Sequence, residues 1–349
     1  MKKYDYKEKE VFVGIDVHKK TYTLAVVCEG ELVKRDSIAA SPKKLTDYLS
    51  KYFSGAKIKS AYEAGFSGYY LHRHLIKHGI ENIVVHPAAI EISSANRVKT
   101  DKRDALKIAM QLSVNRLKGI YIPTLEEEDN REASRLREML VKKRSKVANQ
   151  LKHKGLYYGL IGYQDTQKVS SKWINELLQN PLGPELRFCI EAFAEEWHAL
   201  NTKIKEVDTR LKEQANRDKE RKKIYRSAQG IGSTAARILS NELGDLSRFP
   251  SERDLFSYTG LTPSEYSSGE HRRQGHISRQ GKPILRKILI QCGWVAIAYD
   301  ENLAKIYQRI ANRSGGKRAI VAIARRLIGR LRACFRKNEL YCSPVLETA

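Results

Sequence analysis

Apolar residues in the first quarter of the chain occur in short runs separated by polar breaks, a pattern typical of β-strands. The runs at 11–16, 21–28 and 32–37 follow one another closely, which predicts an antiparallel meander. Two further strands are predicted at 57–62 and 82–86. The hydrophobic pattern therefore predicts a sheet of five strands in this region.

Helices are predicted between and after the later strands. A serine followed by a proline favours the start of a helix at 41–53, and a second helix is predicted at about 68–78. With a third helix after the last strand, the order βββ-α-β-α-β-α is that of a ribonuclease-H-like fold. In such folds the first and fourth strands are neighbours, so Asp16 and Glu63 are expected to meet at one edge of the sheet.

Two more carboxylates occur at the start of the third predicted helix. Thr100 could cap this helix, and Asp101 and Asp104 would lie on one face about 5–6 Å apart. Alone, they would be explained by the preference of helix N-termini for acids. Grouped with Asp16 and Glu63, however, they would repel one another unless cations neutralised them. We therefore predict a site for Mg²⁺, with two ions clamping a phosphodiester.

After residue 125 the chain becomes rich in charge and poor in proline and glycine. The apolar positions of the first helical run recur at near-heptad spacing and are Leu136, Leu140, Val147 and Leu151. A second run with steps of three and four extends to about Glu220. We interpret 126–220 as two antiparallel helices that form a coiled-coil arm for oligomerisation. A spacer packed within one chain is the alternative.

The C-terminal part contains two glycine-rich features and a basic helix. Gly230 and Gly232 resemble the turn of a helix-hairpin-helix, whose backbone N–H groups can bind a phosphate. The stretch 264–287 is a basic loop or hairpin with hydroxyl groups at its turn. It could contact phosphates, or it could present a nucleophilic hydroxyl with arginines to balance the developing charge. The range 313–337 predicts a basic amphipathic helix whose arginines suit a phosphate backbone.

The charge of the chain indicates a polyanionic partner. Lysine and arginine number 64 against 40 aspartate and glutamate, a formal net charge of +24, which favours nucleic acid over a membrane surface. The scattered cysteines, with no C-x-x-C pair, fit a reducing compartment such as the cytosol. The residues predicted to contact nucleic acid are Lys19, Lys20, Lys99, Lys102, Arg103, Gly230, Gly232, Arg272, Arg273, Arg279, Lys282, Arg286, Arg325 and Arg326.

Motifs along almost the whole chain resemble those of one family. GIDVHK at 14–19, YEAG at 62–65 and KTDKRDA at 99–105 resemble the DEDD motifs of the insertion-sequence 110 family of transposases. Further motifs resemble those of that family's C-terminal domain, namely QGIG at 229–232, GLTP at 260–263, SSG at 267–269, ISR at 277–279 and LR at 285–286. The order of the motifs makes the resemblance specific.

The resemblance implies a RuvC-like nuclease domain, a coiled-coil arm and a mostly helical, serine-bearing recombinase domain. It implies that the four carboxylates hold Mg²⁺ and that Ser268 joins covalently to a DNA phosphate. Adjacent Ser267 and Tyr266 remain alternative nucleophiles. The implied partners are donor and target DNA, an element-encoded bridge RNA that pairs with both, and further copies of the chain in a dimer or tetramer.

We expect a charged tail at 1–9, a nuclease domain at 10–125, the arm at 126–220 and the serine-bearing domain at 221–349. An actin-like ATPase or sugar kinase is a poorer explanation, because the second half is helical and basic and is not a second α/β half. A metal-dependent junction nuclease without a covalent step is the nearer alternative. A nucleic-acid-binding protein with an inactive site is disfavoured, since all four carboxylates are present.

Overall fold

A computed structural model of the chain describes residues 5–90, 101–265, 274–278 and 280–342. The packing of the backbone divides the chain into two compact units, Met1–Pro123 and Thr124–Ala349. In the part of the chain that the structure describes, no helix combines the length and the apolar character needed to cross a membrane.

A mixed five-stranded sheet forms the first unit. The strands are β1 (Glu10–Val17), β2 (Thr21–Cys28), β3 (Glu31–Ala39), β4 (Lys57–Glu63) and β5 (Glu81–Val85). Their order is β3-β2-β1-β4-β5. Strands β1, β2 and β3 pair antiparallel, whereas β4 pairs parallel with both β1 and β5. The predicted meander and the predicted contact between the first and fourth strands are both confirmed.

Helices pack on both faces of this sheet, because the central strand β1 is apolar on both. On one face, Val11, Val13 and Ile15 pack with α1 (Pro42–Tyr52) and α2 (Tyr70–Lys77). The intervening residue Phe12 points to the opposite face and packs with α3 (Asp101–Ser113). The predicted serine cap of α1 is confirmed, since Ser41 Oγ accepts a hydrogen bond from the Lys44 N–H at 3.4 Å.

The second unit is mostly helical. Its helices are α4 (Leu125–Tyr157), α5 (Ser171–Leu178), α6 (Pro184–Arg217), α7 (Lys219–Ser227), α8 (Ser233–Leu243), α9 (Glu252–Thr259), α10 (Pro283–Tyr299), α11 (Glu301–Ser314) and α12 (Gly316–Lys337). It also contains an antiparallel hairpin of β6 (Pro263–Glu265) and β7 (Gln274–Ile277). A mixed α/β region followed by a mostly helical region is the predicted fold at this level of detail.

The two long helices α4 and α6 run antiparallel. Arg137 Nε donates to Asp208 Oδ1 at 2.6 Å, and further along α4 Arg144 Nη1 donates to Asn201 Oδ1 at 3.0 Å. The seam between them contains buried Leu140, Val147, Leu151, Leu200, Ile204, Val207 and Leu211. Leu136 is 43% exposed, so the prediction that it belongs to this seam is wrong. Both helices belong to the same compact unit as the C-terminal helices.

Candidate active site

Asp16 and Glu63 lie at corresponding ends of two parallel strands. The pairing of β1 with β4 extends to Ile15 and Tyr62, so Asp16 and Glu63 are the next residues on the two strands. Both therefore lie at the carboxyl ends of neighbouring strands, at one edge of the sheet. The register explains this proximity, because it aligns the two strands residue for residue up to that edge.

The environments of the two carboxylates differ. The Glu63 side chain is exposed. The Asp16 side chain is 22% exposed, and its Oδ2 lies 3.1 Å from Nε2 of His18. Sequence reasoning did not identify His18, the residue directly after β1, as a partner of Asp16.

Gly14 determines how closely α3 approaches the sheet. A Cβ atom built on Gly14 would lie 2.0 Å from the carbonyl oxygen of Ala105 and 2.5 Å from the backbone nitrogen of Ala109. The backbone of α3 therefore rests directly on β1, and no side chain larger than hydrogen fits between them. Because Ala105 follows Asp104, this contact also fixes the first turn of α3 against the strand that carries Asp16.

The helix α3 begins at Asp101 and has Asp104 in its first turn, so this prediction is confirmed for the backbone. The side chain of Asp101 and residue Thr100 lie outside the described residues. The Asp104 carboxylate is 24% exposed and accepts a hydrogen bond from Lys107 Nζ at 3.3 Å. An i, i+3 pair of this kind neutralises part of the negative charge.

The donor chemistry at this edge fits a hard divalent cation, because the predicted ligands are all carboxylates. Among the described side chains, however, no three histidine, cysteine, aspartate or glutamate groups lie close enough together to hold a metal ion. The nearby cations predicted to contact nucleic acid include Lys19 and Lys20, which are exposed between β1 and β2, and exposed Arg103 on α3. Lys99 and the side chain of Lys102 lie outside the described residues.

Two glycines are in backbone contact where the segment that carries the predicted nucleophile begins and ends. A Cβ atom on Gly281 would lie 2.2 Å from the backbone nitrogen of Gly260, so the chain before the β6–β7 hairpin directly contacts the chain after it. Arg286 Nη1 donates to the carbonyl oxygen of Gly281 at this junction. The predicted residues Tyr266, Ser267, Ser268, Arg272, Arg273 and Arg279 lie outside the described residues.

A buried carboxylate beside this junction was missed by sequence reasoning. Glu242 on α8 is 1% exposed, and its carboxylate lies 2.6 Å from Lys282 Nζ and 3.3 Å from Arg135 Nε. The ammonium of Lys282, a predicted nucleic-acid contact, is thus held by a protein carboxylate. Burial raises the pKa of Tyr258, but the cations of Lys282 and Arg248 outweigh it and the pKa is lowered. A single glutamate near the end of an otherwise apolar helix face was the available signal.

The two glycines of the helix-hairpin-helix-like turn have different surroundings. Gly230 has φ of +91°, and a Cβ there would lie 2.5 Å from the carbonyl oxygen of Cys292 and 2.7 Å from the backbone nitrogen of Ala296 on α10. A Cβ atom on Gly232, which precedes α8, would have no atom within 4 Å. Gly230 therefore permits close packing of the turn on α10, whereas Gly232 is exposed at a helix N-terminus.

The arginines of α12 divide between the interior and the surface. Arg332 is 7% exposed and donates from Nε to the carbonyl oxygen of Phe249 at 2.9 Å, so the expectation that it faces phosphates is wrong. Arg325 lies over the ring of Phe256, 4.6 Å from its centroid, and burial lowers the pKa of its guanidinium. Arg326 is exposed.

Comparisons with known proteins identify the class to which this chain belongs. Residues 13–154 match a family model described as a transposase, of the IS110 DEDD type. Residues 222–308 match the model of the transposase IS116/IS110/IS902 family.

Relatives extend this agreement over most of the chain. A Sinorhizobium fredii protein, y4qE, whose name assigns it provisionally to the transposases, is 30% identical over 305 residues, covering 83% of this chain and 72% of the relative. The transposase for insertion sequence element IS1533 of Leptospira borgpetersenii is 27% identical over 346 residues, covering 95% of this chain and 97% of the relative. The transposase for IS1111A of Coxiella burnetii is 23% identical over 336 residues, covering 94% of this chain and 90% of the relative. The chain belongs to the IS110 family of insertion-sequence transposases.

Proposed function

We propose that this transposase cuts and rejoins donor and target DNA through a covalent serine–DNA intermediate. In this proposal Ser268 is the nucleophile, and Asp16, Glu63, Asp101 and Asp104 hold Mg²⁺, with two ions in the site. The single observation that supports it most is the parallel register of β1 and β4, which sets Asp16 beside Glu63 at one edge of the sheet.

The docking of α3 adds a second line of support. Gly14 brings the backbone of α3 onto β1, and the first turn of that helix carries the other two carboxylates. A divalent cation bound there would neutralise the carboxylates and the charge that develops on the phosphate oxygens. The carboxylates of the chain would orient the phosphodiester, while exposed Lys19, Lys20 and Arg103 would attract the DNA backbone.

The covalent step conserves the number of phosphodiester bonds. The Ser268 hydroxyl oxygen forms a bond to phosphorus, the bond from phosphorus to a deoxyribose oxygen breaks, and that oxygen takes up the proton that the serine releases. The hydroxyl of another strand then attacks the same phosphorus, and the serine leaves with its proton restored. Arg272 and Arg273 would stabilise the charge on the non-bridging oxygens.

The remaining parts of the proposal concern partners and organisation. An element-encoded bridge RNA would pair with donor and target DNA and so select the sites. The chain would act as a dimer or tetramer that assembles its sites between subunits. Residues 10–125 would form a RuvC-like nuclease domain behind a charged tail at 1–9, 126–220 a coiled-coil arm, and 221–349 the serine-bearing domain.

Trapping a covalent protein–DNA adduct tests this proposal directly. The full chain, its element-flanking RNA and matched labelled DNA are incubated with Mg²⁺ and separated on a denaturing gel. Wild type, Ser267→Ala, Ser268→Ala, Tyr266→Phe and Asp16→Ala are compared. We expect an adduct that is kept in Ser267→Ala and Tyr266→Phe but lost in Ser268→Ala and Asp16→Ala.

Other patterns would lead to other conclusions. Loss of the adduct in Ser267→Ala or Tyr266→Phe, with Ser268→Ala active, would move the nucleophile to that residue. Metal-dependent cleavage without an adduct in any lane, and without an effect of Ser268→Ala, would leave a junction nuclease with no covalent step.

A further inference from the structure

The second half of α4 carries charge of one sign only. Between Met139 and Gln164 the chain has five lysines and one arginine but no aspartate or glutamate. Helix α6, which packs beside it, has six lysines and arginines and seven aspartates and glutamates. Solvated helix faces commonly mix the two signs, as α6 does. The unmixed charge of the second half of α4 therefore indicates an anionic partner.

A groove runs along this part of α4. It has a volume of about 550 Å³ and is lined by Lys142, Ser145, Lys146, Asn149 and His153 of α4 and by Lys287 of α10. The α4 residues recur at steps of three and four, so they form one face of the helix. All five of these α4 residues are exposed. We call this set of residues the α4 basic groove.

The positive charge of the groove is only partly neutralised by the protein. Glu138 lies at one end, with its carboxylate 3.6 Å from Lys142 Nζ and 3.1 Å from Lys287 Nζ. The single carboxylate of Glu138 thus pairs with two ammonium groups. Within the described part of the chain, Lys146 has no carboxylate at ion-pair distance, and the groove retains an excess of positive charge.

Exposed tyrosines follow the groove at the end of α4. Tyr157 is 75% exposed, Tyr158 is 49% exposed, and Tyr163 in the next loop is 92% exposed. The rings of Tyr157 and Tyr158 have centroids 5.0 Å apart, and Lys154 Nζ lies 6.0 Å from the Tyr158 centroid. Aromatic rings next to a cationic groove are the combination by which proteins hold unpaired nucleotides, with phosphates on cations and bases stacked on rings.

We infer that the α4 basic groove and the tyrosines at the end of α4 bind a nucleic-acid strand with unpaired bases. Phosphates would lie against Lys142, Lys146 and Lys287, and bases would stack on Tyr157 and Tyr158. The groove amide of Asn149 would contact the sugar–phosphate backbone. This inference deepens the proposed function by assigning one binding surface to the strand, which is either RNA or single-stranded DNA.

Binding measurements with matched charge variants test this inference. The triple variant Lys142→Gln/Lys146→Gln/Lys287→Gln removes three groove cations, and Lys203→Gln/Lys205→Gln/Arg210→Gln removes three exposed cations from α6. A third variant, Tyr157→Ala/Tyr158→Ala, removes the rings. Full-length proteins are titrated with a labelled 20-nucleotide RNA, the same sequence as single-stranded DNA, and its duplex, over a range of salt concentrations. The titrations contain EDTA, so they do not depend on strand chemistry, and thermal melting checks that each variant is folded.

We expect the groove variant to bind a single strand about tenfold or more weakly than the α6 control, with a salt slope smaller by about 2 for three lost phosphate contacts. The tyrosine variant should lose about fivefold or more in affinity for the single strand but little for the duplex. If the wild-type protein binds the RNA more tightly than the single-stranded DNA, the natural strand is RNA. The opposite order identifies DNA.

Equal affinity and equal salt slope for the groove variant and the α6 control would overturn the inference. Equal losses for single strand and duplex in the tyrosine variant would overturn the stacking part. Neither result would contradict the proposed serine–DNA intermediate, because an adduct at Ser268 is measured separately.

Discussion

Gly14 of β1 and Ala105 of α3 are in direct backbone contact, since a Cβ atom on Gly14 would lie 2.0 Å from the Ala105 carbonyl oxygen. This contact sets the distance between the strand that carries Asp16 and the helix that carries Asp104. It couples the stability of the N-terminal unit to the geometry of the candidate metal site.

We expect Gly14→Ala to lower the free energy of unfolding by about 1–3 kcal/mol, because the added methyl group meets backbone atoms that cannot move aside. DNA cleavage should fall more steeply than stability, since Asp104 moves with α3. Chemical denaturation and a cleavage assay measure the two effects. Gly65→Ala is the control for stability, because the nearest atom to its Cβ would be 3.9 Å away. Equal stability of the two variants would contradict the contact.

The turn before α8 allows a matched test of two neighbouring glycines. Gly230→Ala should destabilise the second unit by about 1–3 kcal/mol, because φ is +91° and the new Cβ would meet the α10 backbone at 2.5 Å. Gly232→Ala should leave the melting temperature nearly unchanged, since its surroundings are open. If Gly232 contributes to phosphate binding, the second variant will lose affinity for DNA without losing stability. Comparable melting temperatures for both variants would show that the turn does not pack on α10.

Glu242 provides a test of the buried ion pair near the β6–β7 hairpin. Glu242→Gln should reduce the free energy of unfolding by about 1–3 kcal/mol, below the value for a fully buried pair because Lys282 and Arg135 reach solvent. Glu132→Gln is a close control, since Glu132 also pairs with Arg135, at 3.0 Å, but is 70% exposed. Its effect should stay within about 0.5 kcal/mol. Urea denaturation of both variants decides whether burial makes the difference.

Two cysteines should differ widely in their reaction with alkylating reagents. Burial raises the pKa of Cys292 to about 12, so roughly one thiol in ten thousand is ionised at pH 8. Cys342 is exposed. We expect iodoacetamide at pH 8 to label Cys342 within minutes and Cys292 only after unfolding in urea, as followed by peptide mass spectrometry. Rapid labelling of Cys292 in the native protein would contradict its place in the core.

Local sequence patterns predicted the strands of the first unit and their antiparallel meander. Short apolar runs, the Ser41–Pro42 helix start and the aspartates at the start of α3 depend on neighbours within a few residues, and the structure agrees with them. The near-heptad positions of α4 and α6 likewise predicted an antiparallel pair, although the pattern wrongly included Leu136. These features follow from local propensity and periodicity, which a single sequence records.

Which of several similar residues is buried and which is exposed depends on the tertiary fold. Gly230 and Gly232 are alike in sequence, but one packs on α10 and the other is open. Arg332 and Arg326 lie on one basic helix, but one is buried against Phe249 and the other is exposed. Glu242 gains its importance from Lys282, forty residues away. Burial of a charge or a glycine depends on segments that are distant in sequence, so a short-range pattern such as the apolar helix face around Glu242 does not identify the partners of the buried group.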